Sequence, residues 1–597
     1  MMPGLQEWIH QLEEGIWVQR LKLVSIWLGL AAFITFYNVR EFKNFSSPEA
    51  MDAAQVGRNL AEGHGFTTRY IRPLSVALLQ ANRGEAGHGL GGFHPDIANA
   101  PVYPTILAGL MKVLPFTFEI KDADKFSRYQ PEMIIAVFNQ CLFLILLISV
   151  FHLAKTLFDS PVAWLATVSL GASNLFWQFS VSGLPTIFLA LILCWIVSLL
   201  LHLNHRSQDE TTPTSKFLQL GLGIGALLAV AVLTRYSLLV LVPVVIGFIA
   251  WIAGTRRVPA IVACLIVFLV LISPWLSRNY SLTGTLFGTA GFAISEETSA
   301  FPGNRLIRSL PLNFAAELNR LGIDAYGRKL FVELARLIQQ DLPQMGGSWL
   351  SAFFLPGLLI PFRNVFLNRL RWFLIAVIAV LLLTQALGKT SLTTISPVLN
   401  GENLLVLISP FIFIFGSALF FLLLDQLEFE WQPTRPILIT GFALICSAPL
   451  ILSLLPPRSI ALSYPPYLPP VIQNTSKWMN EKELMMSDMP WAVAWYGNRD
   501  CVWTTLDAAT DHTSDFYRIN DYMRPIQGLY LTQITMDTKF LSEMVRGGSE
   551  GVWGRFVLDS LLRTNVPTGF PLKQAPKGFL PEQLFLSDRI RWIAGEK

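Results

Sequence analysis

Long runs of apolar residues, separated by polar stretches, occupy the first three quarters of this chain. A helix that crosses a membrane needs roughly 20 consecutive residues that are mostly apolar. About eleven segments approach this requirement, at residues 21–39, 133–154, 162–179, 183–203, 217–233, 236–253, 258–275, 347–362, 371–388, 403–424 and 436–455. The pattern therefore predicts an α-helical polytopic membrane protein.

One further apolar stretch, residues 101–116, is shorter and contains Pro101, Pro104 and Pro115. It is too short and too often interrupted by proline to cross a bilayer as a regular helix. We therefore expect an interfacial or re-entrant helix there.

The composition supports a membrane protein. Hydrophobic residues make up 52% of the 597 residues and charged residues only 14%, whereas a soluble domain usually carries about 25% charged residues. The net charge of +4 is small for this length and gives no reason to expect nucleic acid as a partner. Four of the five cysteines lie inside apolar runs, so no disulfide framework is implied.

Lysine and arginine residues in the short loops predict the orientation, because cytoplasmic loops carry an excess of these residues. With the N-terminus in the cytoplasm, the arginine-rich loop 363–371 is cytoplasmic as well. Three long segments, 40–132, 276–346 and 456–597, then face the outer side of the inner (plasma) membrane. The predicted division is a cytoplasmic segment 1–20, a transmembrane domain 21–455 and an extracytoplasmic domain 456–597.

The last segment has a different pattern from the rest of the chain. Short strands are predicted at Met485–Met489, Cys501–Thr505 and Gly528–Thr532. Helical spacing is found between and after them, at Trp491–Tyr496, Ser514–Met523 and Thr538–Arg546. Alternating strands and helices favour a small α/β domain on the outer face.

Two carboxylates lie just after the first apolar segment. Glu49 and Asp52 are three residues apart and share one face of a helix that begins at Pro48, with Ser47 as its cap. They are either ordinary acidic residues at a helix N-terminus, where the dipole favours them, or a general base that takes a proton from an acceptor hydroxyl. His64, in the loop that follows, is a second candidate for substrate binding.

Asp96 lies in the same outer segment, within a Pro-Asp sequence that is also typical of a solvated turn. We take it as a candidate for substrate binding. His88 and His94 lie nearby, but their spacing matches no known set of metal ligands. No metal ion and no other cofactor is predicted.

Arg235 and Arg278 follow apolar runs, and the predicted topology places both at the outer boundary. Outward arginines are unusual under the positive-inside rule. They either extend toward lipid headgroups or bind a phosphate through a bidentate contact.

The chain resembles the GT-C class of integral-membrane glycosyltransferases, which includes protein O-mannosyltransferases and aminoarabinose transferases, and most closely their bacterial Rgt-like branch. The matching sequences lie at residues 49–63, 99–104, 233–236, 274–279 and 490–499. Alignment on Arg58 places the family's acidic residue at Glu49, whereas the Met-Asp pattern of the branch favours Asp52. The resemblance also makes Arg58 and Tyr103 candidates for substrate binding.

The resemblance implies an inverting transfer of a sugar from a polyprenyl-phosphate carrier to an acceptor on the outer side. The acceptor would be a glycan, lipid or protein, and a carboxylate of the first outer segment would serve as the base. An oligosaccharide ligase of the same class is the alternative enzyme. A transporter or a non-catalytic scaffold is the alternative outside enzymes, although charges collected at one face and spans without an internal repeat argue against a transporter.

Overall fold

A computed structural model describes most of the chain. The described residues are 16–84, 90, 92–122, 126–209, 211–298, 301, 303–310, 322–347, 349–388, 399, 403–427, 434–456, 467–505, 514–532, 534–535, 566, 569–580 and 583–592. The predicted helix Thr538–Arg546 lies outside these residues.

Helices dominate the structure. The main ones are α1 (Ile16–Glu41), α2 (Pro48–Ala61), α3 (Pro73–Arg83), α4 (Val102–Val113), α5 (Gln130–Leu157), α6 (Ser160–Gly171), α7 (Asn174–Val181), α8 (Thr186–Ser207), α9 (Thr214–Thr234), α10 (Leu241–Ile252), α11 (Arg257–Thr283), α12 (Ile323–Arg336), α13 (Trp349–Leu359), α14 (Val365–Leu387), α15 (Ser409–Asp425), α16 (Thr434–Leu454) and α17 (Pro469–Lys477). Short helical turns include Tyr236–Val240, Gly254–Arg256, Gly288–Phe292, Leu337–Asp341, Leu342–Gln344, Leu404–Ile408, Pro490–Ala492, Val493–Gly497, Asp515–Tyr517 and Arg518–Met523.

Within the described residues, seven helices are long and apolar enough to cross a membrane. They are Gln130–Leu157, Thr186–Ser207, Thr214–Thr234, Gly254–Thr283, Val365–Leu387, Leu404–Asp425 and Thr434–Leu454. Each coincides with a predicted span, so the polytopic helical fold class is confirmed. The predicted segment 21–39 lies within α1, which is not among the seven.

The count of about eleven spans is not confirmed, because three predicted segments form shorter helices. Residues 162–179 are divided between α6 and α7, and the indole Nε1 of Trp177 donates to the carbonyl of Gly171, where α6 ends. Residues 236–253 begin with a 3₁₀ turn, and the helix within 347–362 has only 11 residues. Hydropathy averages report apolar character and are insensitive to such breaks.

Glycines allow the membrane helices α9 and α11 to pack closely. A Cβ atom at Gly221 would lie 2.3 Å from the carbonyl oxygen of Ala260, and one at Gly225 would lie 2.2 Å from that of Cys264. The two backbones therefore meet where no side chain fits between them, as is common for small residues spaced four apart in membrane helices.

A five-stranded sheet forms the centre of the C-terminal part. The strands of the structure are β1 (Thr67–Thr68), β2 (Tyr70–Ile71), β3 (His94–Pro95), β4 (Leu484–Ser487), β5 (Cys501–Trp503), β6 (Ile526–Leu531) and β7 (Leu584–Ser587). The order in this sheet is β2-β5-β4-β6-β7, with β7 antiparallel and the others parallel. The three strands predicted from the sequence are confirmed as β4, β5 and β6.

The sheet is not built from the C-terminal segment alone. Strand β2, from the first predicted outer segment (residues 40–132), pairs with β5 in parallel, with Tyr70 opposite Cys501. Because parallel strands end at the same edge of a sheet, Arg72, which follows β2, and Thr504, which follows β5, lie along one edge. The α/β part is therefore joined to the first outer segment through a shared sheet.

Candidate functional site

Helix α2 carries the two predicted carboxylates. Ser47 precedes it in extended conformation and Pro48 is its first residue, as expected from the sequence. The Ser47 hydroxyl does not cap the helix and instead donates to Oε2 of Glu49. Glu49 is half-buried, whereas Asp52, one turn further along, is fully buried.

Asp52 is held by two donors from different parts of the first outer segment. Nη2 of Arg72 lies 2.6 Å from Oδ2 of Asp52, and Nδ2 of Asn99 donates to the same oxygen at 2.8 Å. The second oxygen, Oδ1, is buried and has no hydrogen-bond partner among the described residues. Asp52 therefore has one oxygen that is fixed by two donors and one that has no partner among the described residues.

Asp96 lies beside Asp52 in a turn after β3. Its Oδ1 accepts hydrogen bonds from the backbone N–H groups of Ala98, at 3.0 Å, and Asn99, at 3.4 Å. Burial and the charge of Asp52 raise the pKa of the Asp96 carboxyl, and the charge of Arg72 opposes this shift. Two acidic side chains from distant positions thus share one buried region with one arginine.

Arg278, near the C-terminal end of α11, fixes the Asp96 turn. Its Nη1 donates to the backbone carbonyl of Asp96 at 2.9 Å, and its Nη2 donates to that of Phe66 at 3.1 Å. Its guanidinium also stacks on the ring of Trp275, 4.5 Å from the centroid. The structure therefore brings Arg278 against the turn that carries Asp96, whose carboxyl is under the influence of Asp52.

Arg235 ends α9 next to the same region. It is half-buried, and the next residue, Tyr236, contacts Trp275 and Asn99. The Tyr236 hydroxyl accepts from Nε1 of Trp275 at 2.6 Å and donates to the carbonyl of Asn99 at 3.4 Å. Arg235 is therefore the neighbour in the chain of a residue that contacts the turn after Asp96.

The other predicted substrate-binding residues make contacts elsewhere. Arg58, near the far end of α2, pairs with Glu62 at 2.8 Å and stacks on Phe118. The ring of His64 stacks on Phe93, with centroids 4.2 Å apart.

Tyr103 is buried in α4, and its hydroxyl donates to the carbonyl of Gly183 at 2.8 Å. This bond joins the first outer segment to the turn before α8. None of the contacts described for Arg58, His64 or Tyr103 reaches Asp52, so their roles in substrate binding stay predictions.

Sequence reasoning missed Arg72, the cation closest to Asp52. The local signal was present, because an arginine between Ile71 and Pro73 interrupts an otherwise apolar stretch. Pro73 begins α3 and keeps Arg72 extended, so its side chain reaches back toward α2. Among the described residues, no group of three or more His, Cys, Asp or Glu side chains is arranged to hold a metal ion.

Comparisons with known proteins agree with this architecture. Residues 128–277 match the family model described as dolichyl-phosphate-mannose-protein mannosyltransferase. The structure is similar to that of ArnT from Cupriavidus metallidurans bound to undecaprenyl phosphate, with a TM-score of 0.54 and 10% identity over 96% of this chain and 99% of that one. The chain has the fold of the GT-C glycosyltransferases.

A second solved structure of GT-C fold is also similar. It is the archaeal oligosaccharyltransferase AglB from Archaeoglobus fulgidus in complex with an inhibitory peptide and a dolichol-phosphate, with a TM-score of 0.56 and 10% identity over 90% of this chain and 73% of that one. No curated protein matches the chain. The family match and the GT-C fold together indicate a membrane enzyme of glycosyltransferase type.

Proposed function

We propose that this protein transfers a sugar from a polyprenyl-phosphate carrier to a hydroxyl group of a glycan, lipid or protein acceptor. The observation that carries the proposal is the state of Asp52, whose Oδ1 is buried and has no partner among the described residues, while Oδ2 is held by Arg72 and Asn99. A carboxylate with one fixed and one available oxygen is suited to general base catalysis.

The proposed reaction is a single displacement that inverts the anomeric centre. The acceptor oxygen attacks the anomeric carbon and gives its proton to Asp52, while the bond from that carbon to the carrier phosphate breaks. The electron pair of that bond leaves with the phosphate. Asp52 is the favoured base, since the Oε2 atom of Glu49 already accepts a hydrogen bond from Ser47.

Three arginines are the candidates for binding the departing phosphate. Arg278 lies under the Asp96 turn, Arg235 lies beside Tyr236, and Arg72 contacts the carboxylate itself. Guanidinium groups suit this role because they are permanently charged and carry five N–H donors. Asp96 would accept a hydrogen bond from the sugar or the acceptor.

The outer side of the inner membrane is the proposed location of this site, with the N-terminus in the cytoplasm. Support comes from basic residues in the short loops at the ends of α8, α10 and α14. Arg256 donates to Thr212 and Thr214, and Arg369 donates to the carbonyl of Trp251. These loops form one basic face, which the positive-inside rule assigns to the cytoplasm.

The proposal is tested with purified protein in lipid nanodiscs, a polyprenyl-phosphate-linked sugar and candidate acceptors. Asp52→Asn should lower turnover about 10²- to 10⁴-fold, and Glu49→Gln should lower it less. Glu62→Gln, at the other end of α2, is the matched control and should keep wild-type turnover. Full turnover by Asp52→Asn, Glu49→Gln and the double variant, all correctly folded, would remove the proposed base.

The phosphate contact has a separate test. Arg278→Ala and Arg235→Ala should weaken binding of the sugar donor more than the corresponding lysine variants do. A charge-assisted contact is worth roughly 1.5–3 kcal/mol, which corresponds to a loss of about tenfold or more. Wild-type affinity in both alanine variants would exclude these two arginines.

An oligosaccharide ligase is the second candidate, because the similarity to AglB extends over most of this chain. The two functions are distinguished by assaying transfer from donors that carry one sugar and from donors that carry an oligosaccharide. Transfer of a single sugar alone would support the first proposal, and transfer of whole oligosaccharides alone would support the ligase.

A further inference from the structure

Tyr70 is a residue of the shared sheet that reaches the proposed site. It lies in β2, pairs with Cys501 of β5 and is completely buried. Its ring packs edge-on against Trp491 and Trp503, with centroids 5.8 and 5.9 Å away. The Arg72 guanidinium, which also binds Asp52, lies 4.0 Å from the centroid of the same ring. The ring is therefore fixed in position.

The Tyr70 hydroxyl has no hydrogen-bond partner among the described residues. Buried polar groups are nearly always hydrogen-bonded, because leaving one unpaired forfeits its hydration without compensation. An unpaired phenol on a fixed ring therefore calls for an explanation. One explanation is a ligand that supplies the missing hydrogen-bond acceptor.

The surroundings of this hydroxyl coincide with the proposed site. The charges that act on it belong to Arg72, Asp52, Glu49 and Glu296. Burial raises the pKa of Tyr70 well above its usual value, so the phenol is neutral and able to donate. Oδ1 of Asp52 is also without a partner among the described residues, and the Arg72 guanidinium contacts both side chains. Arg72 thus links an unpaired donor to an unpaired acceptor.

Glu296 comes from the second long outer segment and is also buried. Its backbone carbonyl accepts a hydrogen bond from Nζ of Lys329, in α12, which also donates to the carbonyls of Ala293 and Ile294. The buried ammonium group therefore holds this turn in position. A fixed, buried carboxylate of the second long outer segment thus also acts on the Tyr70 hydroxyl.

We propose that Tyr70 is a substrate-binding residue whose O–H donates a hydrogen bond to a hydroxyl group of a sugar bound against Asp52. This inference rests on the proposed function. A sugar hydroxyl fits because it can donate to a carboxylate and accept from the phenol at once. A phosphate fits less well, since it is an anionic acceptor and three acidic side chains act on the Tyr70 hydroxyl.

Tyr70→Phe tests the inference because it removes only an oxygen that has no hydrogen-bond partner among the described residues. The unfolding temperature should stay the same or rise. The value of kcat/KM should fall about three- to tenfold, as expected for loss of one hydrogen bond. Separate titrations of the sugar donor and of the acceptor show which of the two substrates carries the sugar that Tyr70 contacts, because only that titration changes.

Tyr530→Phe is the matched control in the same sheet. The Tyr530 hydroxyl donates to Oε1 of Gln583 at 2.7 Å, so its loss should lower the unfolding temperature and leave the kinetics unchanged. This inference alone would be overturned if the wild type turns over and the kcat/KM of Tyr70→Phe stays within about twofold of the wild-type value for both substrates. Absence of turnover by the wild type with every sugar donor would overturn the proposed function, and this inference with it.

Discussion

The hydroxyl of Tyr496 donates to Oε1 of Glu132 at 2.6 Å, which ties the C-terminal part to the first turn of the membrane helix α5. Nε1 of Trp495 donates to the same oxygen at 2.9 Å. Oε2 accepts from the backbone N–H of Phe45, at 2.7 Å, just before α2. One buried carboxylate therefore joins the C-terminal part, a membrane helix and the segment that leads to Asp52.

Replacement of Glu132 should detach these three parts from one another. Hydrogen bonds to charged groups are worth roughly 1.5–3 kcal/mol each, so Glu132→Ala should lower the unfolding temperature strongly and reduce activity. Glu132→Gln keeps an acceptor oxygen, so its unfolding temperature should lie between those of the wild type and Glu132→Ala. Thermal unfolding in detergent measures the effect.

Glu119→Gln is the control, since Glu119 also pairs with the C-terminal part, through Lys477 at 3.0 Å, but on the exposed surface. It should have little effect, as surface ion pairs contribute little. Equal unfolding temperatures for Glu132→Ala and the wild type would contradict the anchoring role.

The ion pair between Arg72 and Asp52 should behave as a buried pair. Arg72→Met leaves the buried Asp52 carboxylate without its cation, and breaking such a pair costs about 3–5 kcal/mol. The double variant Arg72→Met/Asp52→Asn should lose less stability than the sum of the single variants. A double-mutant cycle of unfolding free energies measures this coupling, and strict additivity would show that the two side chains do not stabilise each other.

Helix α2 should be sensitive to added volume at Gly57. A Cβ atom there would lie 3.0 Å from the carbonyl oxygen of Pro104 and 3.1 Å from Cβ of Leu107, both in α4. Gly57→Val should therefore cost about 1–3 kcal/mol through overpacking and lower activity, because it displaces the helix that carries Asp52.

Gly109→Ala is the control for this prediction, as nothing lies within 4 Å of its added Cβ. It should stabilise α4 by up to about 1 kcal/mol through helix propensity. Unfolding temperatures and turnover measure both variants, and a fully stable, fully active Gly57→Val would show that α2 and α4 can separate without consequence.

Asp96 should make the stability of the protein depend on pH in a defined direction. Burial and the charge of Asp52 raise the pKa of Asp96 in the folded state. The folded protein then binds a proton more tightly than the unfolded chain does, so this contribution to stability is present at low pH. It is lost as the pH rises through the folded-state pKa.

Asp96→Asn should remove this dependence, because the amide is uncharged and its oxygen can still accept from the N–H of Ala98. At neutral pH the variant should be at least as stable as the wild type. Its unfolding temperature should vary less between about pH 4 and pH 7. A clear loss of stability at neutral pH would show that the ionised carboxylate is favourable where it lies.

Local sequence patterns anticipated much of the candidate site. The start of α2 at Pro48 followed from helix-start preferences, and Asp52, Asp96 and Arg278 were identified by residue type and by their place in the predicted topology. Arg72 was missed because its place among apolar residues marks it as unusual but does not show that its side chain pairs with Asp52, twenty residues earlier. Tyr70 was missed because its strand pairs with one that lies far along the chain, at Cys501.

The sequence by itself determined that this is a polytopic helical membrane protein with a small α/β part and a carboxylate at the start of α2. Those features depend on apolar runs and on helix-start and strand preferences, which act over short stretches of chain. Only the tertiary structure decided which cation pairs with Asp52, which aromatic ring packs against that cation and where long apolar segments break. These features depend on contacts between residues far apart in the chain, and local patterns do not encode such contacts.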